Sequence, residues 1–113
     1  MSSTTDTIKL VQGDTKPTIQ LTLTDEVTGN PYDLSDANTT VRVYFRARGT
    51  TTLLSTIACT KTDAVNGVVT FDFSNNVLDV DPGLYEGEIE VDLNGAKHTV
   101  YQVLKFRVRE DFA

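Results

Sequence analysis

With 113 residues, 39% of them apolar, the chain can bury a single core, about two thirds of the surface its unfolded form would expose. It has no run near the ~20 consecutive apolar residues that a membrane-spanning helix needs, so no membrane contact is expected. Sixteen acidic against ten basic residues leave a net charge of −6, which opposes nucleic-acid binding because phosphate contacts need a basic surface.

The single cysteine, Cys59, excludes an internal disulfide and suits a reducing compartment. Residues 1–7 carry neither the positive flank nor the apolar run of an export signal, and they are expected to form a flexible segment or attachment arm. Eighteen threonines favour strands, where a β-branched, moderately polar side chain suits the exposed face. Residues 8–11 read as a first strand, closed by the turn formers Gln12-Gly13-Asp14. Ile19, Leu21 and Leu23 alternate with threonine and glutamine in a second. Gly29, Asn30 and Pro31 interrupt regular structure, and Leu34 is expected to plug the core edge.

A third strand over residues 40–48 puts Val41, Val43, Phe45 and Ala47 on one face and Arg42, Tyr44, Arg46 and Arg48 on the other. Residues 53–61 predict a fourth strand of ambiguous register, and Val69, Phe71 and Phe73 a fifth after the Asn66-Gly67 turn. Asn94-Gly95 is the pair favoured in a two-residue type I′ hairpin, with alternating flanks on both sides. The implied register sets Leu93 opposite Ala96, Asp92 opposite Lys97, Val91 opposite His98, Ile89 opposite Val100 and Tyr85 opposite Leu104. A slip of one residue would bury Glu86, Glu88, Glu90 and Asp92.

Short strands at this spacing, about seven in all, are the signature of a sandwich or barrel. Asp81-Pro82-Gly83-Leu84-Tyr85 resembles the corner before the sixth strand of immunoglobulin-like domains, where a tyrosine hydroxyl bonds back to the preceding backbone. Tyr85 is the expected corner tyrosine, and Gly87 sits where antibody domains carry a disulfide cysteine. The expected fold is an all-β, immunoglobulin-like antiparallel β-sandwich forming one domain over residues 1–113.

Little in the sequence carries chemistry. Glu86, Glu88, Glu90 and Asp92 alternate on one strand face, but side chains two apart sit roughly 7 Å from each other, too far for several to share an ion held at ~2.4 Å. A charge-matched sheet is the better account, with Arg42, Arg46 and Arg48 on one side of the acids and Lys97, Lys105 and Arg107 on the other. Asp79-Val80-Asp81 lacks the later ligands of a calcium loop. His98 has no second histidine, and a Cys59-His98 dyad would join distant segments. Asn38-Thr39-Thr40 matches the glycosylation pattern by chance, given no export signal. No catalytic residue, metal or cofactor is therefore expected. Arg42, Tyr44, Arg46, Arg48 and Tyr101 are the interface candidates, because Tyr and Arg are enriched at protein contacts and these should share the outer sheet face.

The run Ile8-Lys9-Leu10-Val11-Gln12-Gly13-Asp14-Thr15, then Pro17 and Ile19-Gln20-Leu21-Thr22-Leu23, resembles the N-terminal domain family of phage baseplate upper proteins. Gly29-Asn30-Pro31-Tyr32-Asp33-Leu34-Ser35, Gly67-Val68-Val69 and Gly83-Leu84-Tyr85-Glu86-Gly87 extend the likeness. The resemblance implies a virion structural module, made in the host cytoplasm, that docks other virion proteins of tail, neck or capsid in a multi-copy symmetric assembly. Because the sequence stops soon after its last strand, a self-contained accessory or adaptor is expected in place of a full arm. The alternative is a capsid or tail decoration protein with an adhesive, glycan-binding role, for which Tyr32, Tyr44 and Tyr101 are the available aromatics.

Overall fold

The computed structural model describes residues 7–113. Of the arm expected over residues 1–7, residues 1–6 lie outside that range and Thr7 opens the first strand. Nine strands run through the described residues: β1 (Thr7–Val11), β2 (Ile19–Thr22), β3 (Thr39–Ala47), β4 (Ser55–Ala58), β5 (Thr60–Asp63), β6 (Val68–Phe71), β7 (Gly83–Leu93), β8 (Ala96–Thr99) and β9 (Leu104–Arg109). They form an all-β sandwich. The larger sheet runs β1-β9-β7-β3-β4, with β8 paired to the far end of β7, and the smaller runs β2-β6-β5.

The strand count exceeds expectation because two expected strands each divide. Residues 53–61 leave one sheet for the other at Cys59: its N–H donates to Val41 O at 2.9 Å in the larger sheet, whereas Thr60 already faces Thr70 of β6. The crossing changes which residues point inward, which is why that stretch shows no clean alternation. The second division lies on the return arm of the hairpin. Asn94 and Gly95 both take positive φ, 54° and 99°, as a type I′ turn requires.

Leu93, Asp92 and Val91 face Ala96, Lys97 and His98, and Val100 N donates to Ile89 O at 2.9 Å, all in the expected register. Beyond Val100 the register moves by two, so that Tyr85 faces Phe106 and Gly87 takes Leu104. The extra residues bulge out around Tyr101. An even offset preserves which face each side chain points to, and Leu104, Phe106 and Val108 remain buried. One pairing is parallel, that of β1 with β9. Alternation looks the same in a parallel and an antiparallel edge strand, so the sequence pattern could not have shown its direction.

The core joins the sheets through a path of rings. Tyr85 of β7 stacks on Phe45 of β3 with centroids 5.1 Å apart, Phe45 meets Phe106 of β9 at 5.5 Å, and Phe106 meets Phe73 at 5.8 Å. Phe73 in turn touches Phe71 of β6 at 5.7 Å, which carries the path into the smaller sheet. Gly87 makes room for it: a Cβ there would come within 2.9 Å of the Phe106 ring and 3.0 Å of Val43. The space that antibody domains fill with a disulfide is here filled by a ring. Leu34 is fully buried, as expected of a core plug.

Two polar contacts fix the connections. The Tyr85 hydroxyl donates to the Asp81 carbonyl oxygen, which forms the expected tyrosine corner. Lys61 Nζ donates to three backbone oxygens, of Leu34 at 3.1 Å, Asp36 at 3.0 Å and Thr39 at 2.7 Å, and so ties the smaller sheet to the loop that leads into β3. Replacing Lys61 with Met keeps the stem but removes all three bonds, leaving the Asp36 oxygen only the Thr39 N–H at 3.0 Å. The variant is expected to lose about 2 kcal/mol and on the order of 10 °C in Tm by thermal melt. Tyr85→Phe, which keeps the ring stack and loses only the hydroxyl, should lower stability by about 1 kcal/mol in urea titration.

Candidate functional site

Strand β3 alternates as predicted, burying Val41, Val43 and Phe45 and turning Arg42, Tyr44 and Arg46 outward. Its neighbour β7 sets Glu90 opposite Arg42, Glu88 opposite Tyr44 and Glu86 opposite Arg46. On the other side of β7, Lys105 faces Glu86 and Lys97 faces Asp92. Glu86, Glu90 and Asp92 thus have bases opposite them in register, which supports strand pairing at a few tenths of a kcal/mol per pair, whereas Glu88 faces Tyr44, and Arg107, expected beside the acids, faces Leu84.

Facing is not always touching. Of these pairs only Arg42 and Glu90 come within ion-pair distance among the described residues, at 3.9 Å. Glu90 is also the one carboxylate of the row that is buried, 8% exposed, and its second support is the Tyr44 hydroxyl, which donates to it at 3.0 Å. Tyr44 is therefore held upright on the face by Glu90.

An open groove of about 290 Å³ runs over this face, lined by Tyr44, Arg46, Glu86 and Glu88 together with Leu53 and Val103. Leu53, in the segment leading into β4, is 52% exposed. The groove therefore offers an aromatic and a guanidinium, side chains enriched where proteins meet, beside the aliphatic Leu53 and Val103.

The five interface candidates do not all share it. Arg42, Tyr44 and Arg46 lie on one face. Arg48 falls in the turn after β3, beside a hollow of about 70 Å³ with Leu84 and Lys105. Tyr101 stands out on the hairpin bulge and lines a different cleft, with Tyr32 and His98. The same separation divides the three tyrosines considered for sugar binding, since Tyr32 and Tyr101 share a cleft and Tyr44 does not. Leu53 and Val103 were missed as groove residues. Leu53 lies in a stretch without alternation, and Val103, though outward by parity in either register, was not weighed as a surface residue.

A Cys59-His98 dyad, disfavoured by the sequence because it would join distant segments, is not assembled. Cys59 follows β4 and His98 lies on β8, with β3 and β7 between, a separation of ~14 Å at the usual strand spacing of ~4.8 Å. His98 instead meets the Tyr32 hydroxyl, its Nε2 at 3.0 Å.

Compared with known proteins, residues 2–112 match the family model described as the BppU N-terminal domain. Among solved structures, the N-terminal domain of phage TP901-1 ORF48 is similar, with a TM-score of 0.59 and 17% sequence identity over 94% of this chain and 85% of that one. At that identity the likeness speaks for the fold. Among curated proteins, none matches the chain.

The thiol in this frame is shielded from chemistry. Cys59 is free and half-buried, and burial pushes its pKa up to about 12. It stays protonated at neutral pH, and the thiolate is the reactive form. At pH 8 alkylation by iodoacetamide is expected to run at least about a hundredfold slower in the native protein than after unfolding in urea, given a free-thiol pKa of ~8.5. Mass spectrometry of the time course reads this directly, and equal rates in the two states would overturn the assignment.

Proposed function

The chain belongs to the BppU N-terminal domain family of phage baseplate upper proteins, and from that premise we propose that it is an adaptor that docks other virion proteins through the outer face of its larger sheet. A domain of this family is a structural part of the phage tail baseplate. The finer reading, that this chain joins partners by direct protein contact, is supported by the surface just described.

One observation carries it most: Tyr44 and Arg46 stand side by side in a groove that also presents the aliphatic Leu53 and Val103, on a sheet braced from behind by the core. A tyrosine pre-ordered by its bond to Glu90 loses little rotamer freedom on binding, so more of its contact energy appears as affinity. The partner chemistry that fits is a protruding aliphatic or aromatic side chain flanked by a carboxylate for Arg46. The edge strand β4 beside the groove, Ser55-Thr56-Ile57-Ala58, carries no charge, so a partner strand could pair there with little electrostatic obstacle.

The test is incorporation into virions. Buried interface tyrosines and arginines commonly contribute about 2 kcal/mol or more each, so the double variant Tyr44→Ala, Arg46→Ala should reduce the amount of this protein in purified particles by tenfold or more. Arg46→Glu alone leaves the Tyr44–Glu90 bond intact and should act in the same direction, with Tm lowered by only the few degrees that a like-charge pair with Glu86 costs. Wild-type incorporation of both variants removes this face from the mechanism.

A further inference from the structure

A second surface differs from the first in both shape and charge. Between the loop at residues 24–32 and the bulge that separates β8 from β9 lies a cleft of about 200 Å³, walled by Tyr32, His98, Tyr101 and Val27, with Asp25 and Glu26 at its margin. That volume is below the ~300 Å³ where small-molecule sites begin, and suits one side chain of a partner. Val27 and Tyr101 are 94% and 91% exposed, so two apolar groups stand in water with nothing packed on them among the described residues. The inner wall is ordered: the Tyr32 and His98 rings lie 5.5 Å apart, joined by the contact between the Tyr32 hydroxyl and His98 Nε2.

The charges at the margin are unanswered. On the outer sheet face Glu86, Glu90 and Asp92 each stand opposite a lysine or arginine. Asp25 and Glu26 form no ion pair among the described residues, and no lysine or arginine lines their cleft. Their field reaches the ring beside them, because after desolvation these two carboxylates are what raise the pKa of Tyr32. The carboxylates' share of that shift, unlike the share from desolvation, is one that favours a cation in the same place. Exposed aromatic faces next to carboxylates supply both halves of what a guanidinium or ammonium group seeks, a π-surface and a counter-charge, while the aliphatic stem can lie on Val27.

We propose that this cleft receives an arginine or lysine side chain of a partner protein. The site rests on the assembly role proposed above but not on the Tyr44–Arg46 face. Asp25 keeps one carboxylate oxygen on the N–H of Val27 at 2.8 Å, which fixes the turn and aims the acid at the cleft without needing a cation of its own.

The probe is the peptide acetyl-Gly-Arg-Gly-amide, titrated into the full ¹⁵N-labelled chain, with acetyl-Gly-Gln-Gly-amide as the neutral control. Amide shifts are expected at residues 24–32 and 98–102 with the arginine peptide and not with the glutamine peptide. Asp25→Asn with Glu26→Gln, which keeps the turn acceptor, should weaken binding by about fivefold or more, and Tyr101→Ala should weaken it without altering Tm. Arg46→Glu should leave the titration unchanged, so a failure of the outer-face docking reading stays separate from a failure here. Equal response to both peptides, shifts confined to the acids of β7, or undiminished affinity in the Asp25/Glu26 variant overturns the proposal. So does a response to N-acetylglucosamine at these amides in the absence of one to the arginine peptide.

Discussion

The nine-residue pairing of β3 with β7 is the constraint on which the molecule depends. It brings Val41, Val43 and Phe45 alongside Val91, Ile89 and Gly87 in one register and no other. Sliding either strand by one residue would bury a row of carboxylates and arginines while exposing Phe45 and Ile89, and uncompensated burial of even one charge costs several kcal/mol. Opposite charges across the outer face add only small increments of stability. Their larger effect is on the choice of neighbour: β7 carries a row of acids, and β3, β8 and β9 carry bases and no carboxylate, so β7 is matched to these strands and not to a second acidic one. Phe45, once placed, fixes the ring path through Phe106 and Phe73 that holds the second sheet.

The two sheets are joined by covalent and polar links as well as by the core. At Cys59 the chain itself passes between them, and two residues later Lys61 reaches back to three carbonyl oxygens of the loop entering β3. A lysine is well suited to this work: its ammonium group has three donors and a flexible stem, so one side chain can answer several backbone acceptors at once. The entry to β3 is thereby set from the opposite sheet. The outer groove is consequently carried on a strand clamped at its start by Lys61 and along its length by β7, a rigid base for a docking surface.

Much of this was legible in the sequence, for a physical reason. Burial at period two, a turn pair with two positive φ values and a corner tyrosine are local signals, and the structure keeps them at Ile89, Val91, Asn94, Gly95 and Tyr85. The misses are all non-local. An even insertion at Tyr101 leaves every inward residue inward, so alternation is blind to it even though it moves the partner of Tyr85 from Leu104 to Phe106. The crossing at Cys59 erases the alternation by which it would be recognised. Lys61 read as an ordinary strand residue because its partners lie 22 to 27 positions away. The interface candidates fared likewise. Arg42, Tyr44 and Arg46 follow from parity on one strand, whereas placing Tyr101 beside them required the register that the bulge alters.

That bulge also separates the chemistry of the two surfaces. Were the hairpin ladder unbroken, Tyr101 would continue the outward row, and the extra residues would not press toward the loop at residues 24–32. With the bulge, the chain has one face where most acids stand opposite bases in register and a second where no lysine or arginine lines the cleft beside Asp25 and Glu26. The first can contribute shape and a few directed contacts at modest electrostatic cost, since its charges already lean on each other. The second retains its field. On a chain of net charge −6, a negative cleft adds to the general potential and draws a cationic group from a distance, while the neutralised sheet resists nothing that fits its groove. Two surfaces so different in field discriminate between partners by charge before shape is tested, which suits a part that must take up one orientation in an assembly.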